Sequence, residues 1–275
     1  MAQESGTPAY ALGHSDRELR RLRVQARLVD PITKRFLAEA GIGPGMRVLD
    51  VGSGVGDVAF LAAELVGEHG AVVGTDRSAA AIAVASHRAD ERSLGTVSFL
   101  EGDPAETAFE EPFDAIVGRY VLMFQPDPAA MLRRLTTHAR PGGLIVFHEP
   151  YRRGVHSYPP LRRYEQAWDL INNTFAQLGA DPEIGLKLHA TYLAAGLHAP
   201  TMRLESIIAG GTTSLDHLHY ELDLVGALLD EKKRLGITTA EELEPETLSD
   251  RIFTEVVATE TVVLGRAEIG AWSRT

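Results

Sequence analysis

Between residues 46 and 148, short apolar runs alternate with longer segments whose apolar residues recur every third or fourth position. The runs fall at 48–51, 71–76, 97–103, 113–118 and 144–148 and are dominated by Val, Ile and Leu-type residues, as strands covered on both faces require. The intervening segments 57–68, 78–93 and 127–139 read as helices. Strand and helix in alternation, joined by right-handed crossovers, predict an α/β fold with a doubly wound, mostly parallel sheet and helices on both faces.

The flanks read differently. Residues 1–14 are polar, and Ser15-Asp-Arg-Glu18 is a capping-box pattern that starts a helix bearing Leu19, Leu22, Val24, Ala26, Leu28 and Val29. Asp30-Pro31 reads as a break and restart, with Pro31 at the first position of a second helix that runs to Ala40 and stops at Gly41. Beyond Glu149-Pro150 the alternation ends, and residues 151–200 carry Tyr151, His156, Tyr158, Tyr164, Trp168, Phe175, His189 and Tyr192, with helices expected near 160–178 and 183–196. This region reads as a helical cap. Residues 201–208 alternate like a strand with one wet face, 215–235 and 240–258 look helical, and an apolar stretch follows at 261–272. The expected organisation is an N-terminal extension at 1–44, a core at 45–150, a cap or substrate region at 151–200, and closing strands at 201–275 interrupted by a helical insertion at 215–258. The insertion extends the cap or supplies an oligomer contact, and the cap and N-terminal helices are the surfaces through which a homo-oligomer would form.

The first strand ends in Val48-Leu-Asp-Val-Gly-Ser-Gly-Val-Gly56 and runs straight into a helix. Gly52, Gly54 and Gly56 let the backbone turn tightly and leave bare peptide for a ligand to lie against. A dinucleotide site would read G-x-G-x-x-G with a pyrophosphate at the helix start. Here the glycines fall on every second residue between Asp50 and Asp57, which suits a ligand that is cationic or neutral at this point. The second run ends in Asp76, about twenty residues on, the distance at which a carboxylate reaches a ribose diol. The third ends in Gly102-Asp103-Pro104. Each acid by itself could also be a helix N-cap.

Taken together these stations resemble the class I S-adenosylmethionine-dependent methyltransferases, over about residues 45–150. The resemblance implies a seven-stranded sheet closed by an antiparallel strand at 261–272. Its cofactor is S-adenosyl-L-methionine, leaving as S-adenosyl-L-homocysteine. It carries over the turn at Asp50, Gly52, Gly54 and Gly56, the ribose station at Asp76 and Arg77, and the adenine station at Gly102, Asp103 and Pro104 with Ala105. The segment 119–127, following Gly118 and beginning with Arg119, matches the stretch lining the methionine end, although Met123-Phe124 stand where many relatives have His-His. Arg140-Pro-Gly-Gly143 is the family's usual turn before strand five. The family's N-terminal extension commonly covers the cofactor mouth, which makes Tyr10, His14 and Gln25 candidates, against plain surface or packing roles.

Methyl transfer from a sulfonium is an in-line displacement, so positioning comes first and a base is needed only where the nucleophile must lose a proton early. His148 and Glu149 end strand five and point to opposite faces. They are the catalytic candidates, with a packed histidine and a capping or ion-paired glutamate as the alternatives. Tyr151 and Trp168, with Tyr10, are candidates for an apolar or aromatic acceptor pocket, against packing within the cap. Arg152, Arg153, Arg162 and Arg163 would meet an anionic acceptor only if they turned inward. The acceptor is expected to be a small molecule of secondary metabolism, methylated on O or N ahead of C. A nicotinamide or flavin oxidoreductase and a non-catalytic S-adenosylmethionine-binding protein are the competing classes.

Composition narrows this further. Of 275 residues none is cysteine, which removes disulfides, thiolate metal sites and a Cys nucleophile, and no His/Asp/Glu spacing suggests a metal. A formal net charge of −11 argues against nucleic acid. There is no run long enough to span a bilayer, and the first residues have neither a basic nor an apolar leader segment, so the expected location is the cytoplasm, away from membranes.

Overall fold

A computed structural model describes residues 16–104, 106–226, 228 and 247–275, with side chains from Val24 onward. Tyr10 and His14 lie outside the described residues, as do Ala105 and most of the expected helical stretch between 227 and 246. None of the described helices is long and apolar enough to cross a membrane.

The chain forms two compact units. The core unit comprises Val29–Pro150, Glu183–Glu205 and Glu268–Thr275, and the second unit comprises the described residues up to Leu28, Tyr151–Pro182 and Ser206–Ala267. The division at Pro150/Tyr151 falls where the strand-helix alternation stops. Residues 183–200, grouped with the cap from sequence, lie in the core unit.

In the core unit β1 (Arg47–Val51), α2 (Asp57–Val66), β2 (Ala71–Asp76), α3 (Ala79–Glu91), β3 (Val97–Glu101), β4 (Phe113–Arg119), α4 (Pro128–Thr136) and β5 (Ala139–Tyr151) follow one another as the pattern predicts. Strands β1 to β5 pair in parallel in the order β3-β2-β1-β4-β5, so strand order reverses between β1 and β4. Register places Val51 beside Gly118, Gly118 beside Phe147, and Arg119 beside His148. The carboxyl ends of β1, β4 and β5 therefore meet at one edge, where ligands of such sheets bind.

Strand alternation divides the core. Val48, Val72, Ala115, Val117, Leu144 and Val146 pack with Val58, Ala59, Leu61, Ala62, Ala63 and Val66 of α2 and with Leu37 and Ala40 of α1 (Asp16–Ala40). At roughly 1.5–3 kcal/mol for each large apolar side chain, this burial dominates the stability of the unit.

Three expectations are corrected. α1 is one helix through Asp30-Pro31. Pro31 forfeits an intrahelical hydrogen bond, but Val29, Ile32, Phe36 and Leu37 on either side are buried and hold the helix continuous. The sheet has eight strands, not seven: β6 (His156–Tyr158) pairs antiparallel with β8 (Val262–Arg274), His156 facing Leu264 and Tyr158 facing Val262. Three residues are too few to show a period in sequence. Strand five is also longer than its apolar run, because Arg140, Pro141 and Gly142 near its start are exposed while the pairing with β4 begins at Ala139. β8 closes the sheet beside β5, and β7 (Thr201–Gly210) pairs with β8 as well.

On α6 (Ile184–Ala194), Tyr192 is fully buried and its hydroxyl donates to the Ala271 carbonyl at 2.8 Å and the Ile145 carbonyl at 3.2 Å. Tyr192→Phe is expected to cost about 1 kcal/mol, since removing the hydroxyl leaves both buried carbonyls without this donor. Urea unfolding at neutral pH measures this, and unchanged stability would show that the hydroxyl contributes nothing to closing the sheet.

Candidate functional site

The turn after β1 is shaped by backbone that only glycine enters cheaply. Gly52, Gly54 and Gly56 have φ of 64°, 52° and 91°. A Cβ on Gly52 would lie 2.9 Å from Val121 Cγ2, and one on Gly56 would lie 2.8 Å from Phe99 Cζ. The turn is thus pressed between the segment after β4 and the ring on β3.

Asp76, at the end of β2, holds the turn. Its Oδ2 accepts from the Gly54 amide at 2.9 Å and its Oδ1 from the Ser78 amide at 2.9 Å, while the Ser78 hydroxyl caps α3 by accepting from Ala81. Each oxygen keeps a further lone pair with which to meet a ligand hydroxyl. Asp103 lies beyond β3 after Gly102 (φ 143°) and is ion-paired with the exposed Arg77, and Pro104 beside it is buried. The expected ribose and adenine stations therefore stand in the same unit, bridged by a hydrogen bond from the Gly102 amide to the Asp76 carbonyl.

Asp50 is buried, and neither of its carboxylate oxygens makes a hydrogen bond. Burial pushes its pKa up to about 8, opposed by the Arg119 guanidinium and the Ala59 amide and assisted by Asp76 and Asp57. Arg119 is the buried cation of this edge. Its Nη1 donates to Asp30 Oδ1 at 2.7 Å and to the Thr33 hydroxyl at 3.0 Å, and its Nη2 is 3.8 Å from Asp57 Oδ2. Burial alone would lower its pKa, but Asp30, Tyr120 and Asp57 more than reverse that, so it stays charged. Asp57 is also paired with Arg88 at 2.8 Å.

Strand five sends its two candidates to opposite faces. His148 meets α1: Nδ1 is 3.0 Å from the Thr33 hydroxyl, Nε2 is 2.9 Å from Glu268 Oε2, and Phe36 packs edge-on against the ring. The Tyr120 hydroxyl donates to the same Glu268 oxygen at 2.9 Å. Tyr120 itself has a left-handed backbone, φ 58°, immediately after β4. A non-glycine residue in that region is uncommon, and such strain collects at functional sites.

Glu149 is fully buried and accepts from the amides of Val121 at 2.8 Å, Leu122 at 2.7 Å and Met123 at 3.3 Å. Burial raises its pKa to about 8 against the pull of these amides, with Glu268 adding to the rise. The geometry gives Glu149 the work of holding the segment against the glycine turn, and both nitrogens of His148 are engaged in the polar chain. Asp30, Thr33, Tyr120 and Glu268 were not singled out from sequence. Glu268 left a signal there, a lone acid inside the apolar closing run.

The remaining candidates lie in the second unit. Tyr151 is partly buried, and Trp168 is buried on α5 (Arg162–Gln177) with the Arg152 guanidinium 5.5 Å from its ring. Arg152 does turn inward, and it lies 4.5 Å from the Phe175 ring. Gln25 is partly exposed on α1. Among the described residues, no three His, Asp or Glu side chains cluster to hold a metal.

Residues 42–183 match the family model described as a methyltransferase domain. The chain is 32% identical over 196 residues to the 2-phytyl-1,4-naphtoquinone methyltransferase of Synechococcus elongatus, covering 68% of this chain and 80% of that one. It is 33% identical over 199 residues to the nocamycin O-methyltransferase of Saccharothrix syringae, covering 70% and 69%. The solved structure of a geranyl diphosphate methyltransferase in complex with SAM superposes over 97% of this chain and 95% of its own with a TM-score of 0.56 at 18% identity, a likeness of fold.

The Glu149 geometry predicts a pH signature. With a folded pKa raised to about 8, the folded state keeps a proton that the unfolded chain releases above its ordinary carboxyl pKa, so this stabilisation is complete at low pH and is lost as pH rises towards 8. Glu149→Gln mimics the protonated form, and its stability relative to the parent should improve between pH 5 and pH 8 in urea unfolding. Glu149→Ala should lose about 1–3 kcal/mol at both, because buried amides are left bare. A Gln variant whose relative stability is flat with pH would show that the carboxylate is already ionised at pH 5.

Proposed function

The chain belongs to the class I S-adenosylmethionine-dependent methyltransferases and acts on a small molecule, and we propose that its acceptor is an uncharged, ring-bearing hydroxy compound of secondary metabolism methylated on oxygen. The observation that carries cofactor use is the Asp76 carboxylate bound to both the glycine turn and the start of α3. Around it Asp30 and Asp57 balance the guanidiniums of Arg88 and Arg119, so the Asp76 carboxylate leaves this edge acidic, as suits a cofactor that carries positive charge.

S-adenosylmethionine supplies a methyl group made electrophilic by its sulfonium. The chain's part is to hold the reactants. Gly52, Gly54 and Gly56 keep side chains out of the turn, Asp76 offers lone pairs to a diol, and Asp103, oriented by Arg77, offers an acceptor to an amino group. Asp50 is positioned to pair with an ammonium, which would draw its proton off, because a cation beside a buried acid favours the ionised form. Glu149 fixes the segment after β4 so that the edge does not slacken. With Glu149 and His148 both committed within the fold, positioning of the acceptor, and not a strand-five base, drives the transfer: the oxygen–methyl bond forms as the methyl–sulfur bond breaks, and the hydroxyl proton leaves to solvent.

Oxygen is favoured as the acceptor atom because one curated relative is named as an O-methyltransferase, and a ring-bearing acceptor because another is named for a naphthoquinone. The test is transfer of a deuterated methyl group from labelled S-adenosylmethionine to 1-naphthol, 1,4-dihydroxynaphthalene and catechol, followed by mass spectrometry. Label is expected as an aryl methyl ether in at least one product. Tight cofactor binding with label in none of the three would overturn the acceptor class, and S-adenosylmethionine binding without turnover on any small molecule would favour a non-catalytic binder.

A further inference from the structure

The second unit contains a histidine whose burial the fold does not compensate. His217 lies on α7 (Leu215–Leu222), is 1% exposed, and neither of its ring nitrogens has a hydrogen-bond partner. The fold makes room for it: a Cβ on Gly265 of β8 would sit 2.3 Å from His217 Cε1, so the ring occupies space that only glycine leaves open. Burial, and after it the Arg266 guanidinium, lowers its pKa to about 4, so the ring is neutral at physiological pH.

The polar groups around it are engaged with one another. Arg266 Nη1 donates to Glu221 Oε2 at 2.7 Å, Arg266 Nη2 donates to the Tyr220 hydroxyl, and the guanidinium lies 4.9 Å from the Tyr220 ring centre. The Ser206 hydroxyl is bound to the carbonyls of Gly265 and Arg266, and the Tyr164 hydroxyl donates to the Leu264 carbonyl at 3.3 Å. Arg266 and Glu221, both deeply buried, cancel each other's charge. A buried polar group without a partner calls for an explanation. A Phe or Leu would fill the same space without that cost.

We propose that His217 is the polar contact of an acceptor subsite within the second unit, one that takes an uncharged hydroxy-aromatic or hydroxy-carbonyl group. A neutral imidazole offers one donor and one acceptor, which matches a hydroxyl lying next to a carbonyl or a second hydroxyl. The compensated Arg266–Glu221 pair leaves no net charge to attract a carboxylate or phosphate. This proposal rests on the preceding reading only in naming the ligand as the methyl acceptor.

Two measurements on the full chain test it. Thermal unfolding of His217→Phe and His217→Leu should show at least one variant with a Tm equal to or above the parent's, since an uncompensated polar group has been removed. Calorimetric titration with 1-naphthol and its ether 1-methoxynaphthalene should show a preference for the naphthol of roughly tenfold, the worth of about one hydrogen bond, and that preference should vanish in the variant. A lower Tm in both variants would overturn the proposal by giving His217 a structural role. Equal affinity for the two probes, or binding of neither, would overturn it as well. Neither measurement depends on turnover, so an intact naphthol preference alongside failed methyl transfer supports the subsite and counts only against the acceptor class above.

Discussion

Everything at the ligand edge of the sheet depends on one carboxylate. Asp76 ends a strand that is itself buried almost throughout, and each of its oxygens accepts a hydrogen bond from a backbone amide of a different segment, the glycine turn and the start of α3. Hydrogen bonds to a charged group contribute roughly 1.5–3 kcal/mol each. That is enough to select one conformation of a turn that three glycines would otherwise leave loose. Lone pairs left over on the same carboxylate remain to accept from a diol, so in the proposed function ordering the turn and recognising a ligand are done by one group.

A second constraint is the price of burying charge. Arg119 could not be buried at the end of β4 without partners, because a lone ion there would face a desolvation penalty of several kcal/mol. Asp30 and Thr33 on α1 and Asp57 on α2 supply them. The Thr33 hydroxyl passes the chain of contacts to His148, Glu268 and Tyr120, so α1, β4, β5 and β8 are joined by side-chain polar contacts as well as by apolar packing. This network explains why α1 runs unbroken through Pro31: Asp30 and Thr33 must stand on adjacent turns of one helix to reach the same guanidinium.

The strands and the glycine turn were legible in sequence for a physical reason. Strands covered on both faces must be apolar runs, and a turn that packs against Val121 and Phe99 can tolerate only glycine, so both constraints act locally and leave local patterns. The partners of Arg119 and His148 were not legible, because Asp30 and Glu268 lie 89 and 120 residues away along the chain and are brought in by tertiary packing. Alternation correctly placed His148 and Glu149 on opposite faces, yet it could not say that the amides of 121–123 were waiting for Glu149. The meaning of His217 came only from the glycine opposite and the empty hydrogen-bonding capacity of its ring.

The central claim, that the acid-rich edge beside the glycine turn binds S-adenosylmethionine through Asp76, is tested most directly by calorimetric titration of the cofactor into the parent and into Asp76→Asn, with NADH as the control. The account predicts one S-adenosylmethionine bound per chain, no heat from NADH, and an affinity about ten- to a hundredfold weaker in a folded Asp76→Asn variant, as expected when a charged hydrogen-bond acceptor becomes neutral. Binding of S-adenosylmethionine that is the same in both proteins, or a parent that binds NADH in its place, would contradict it.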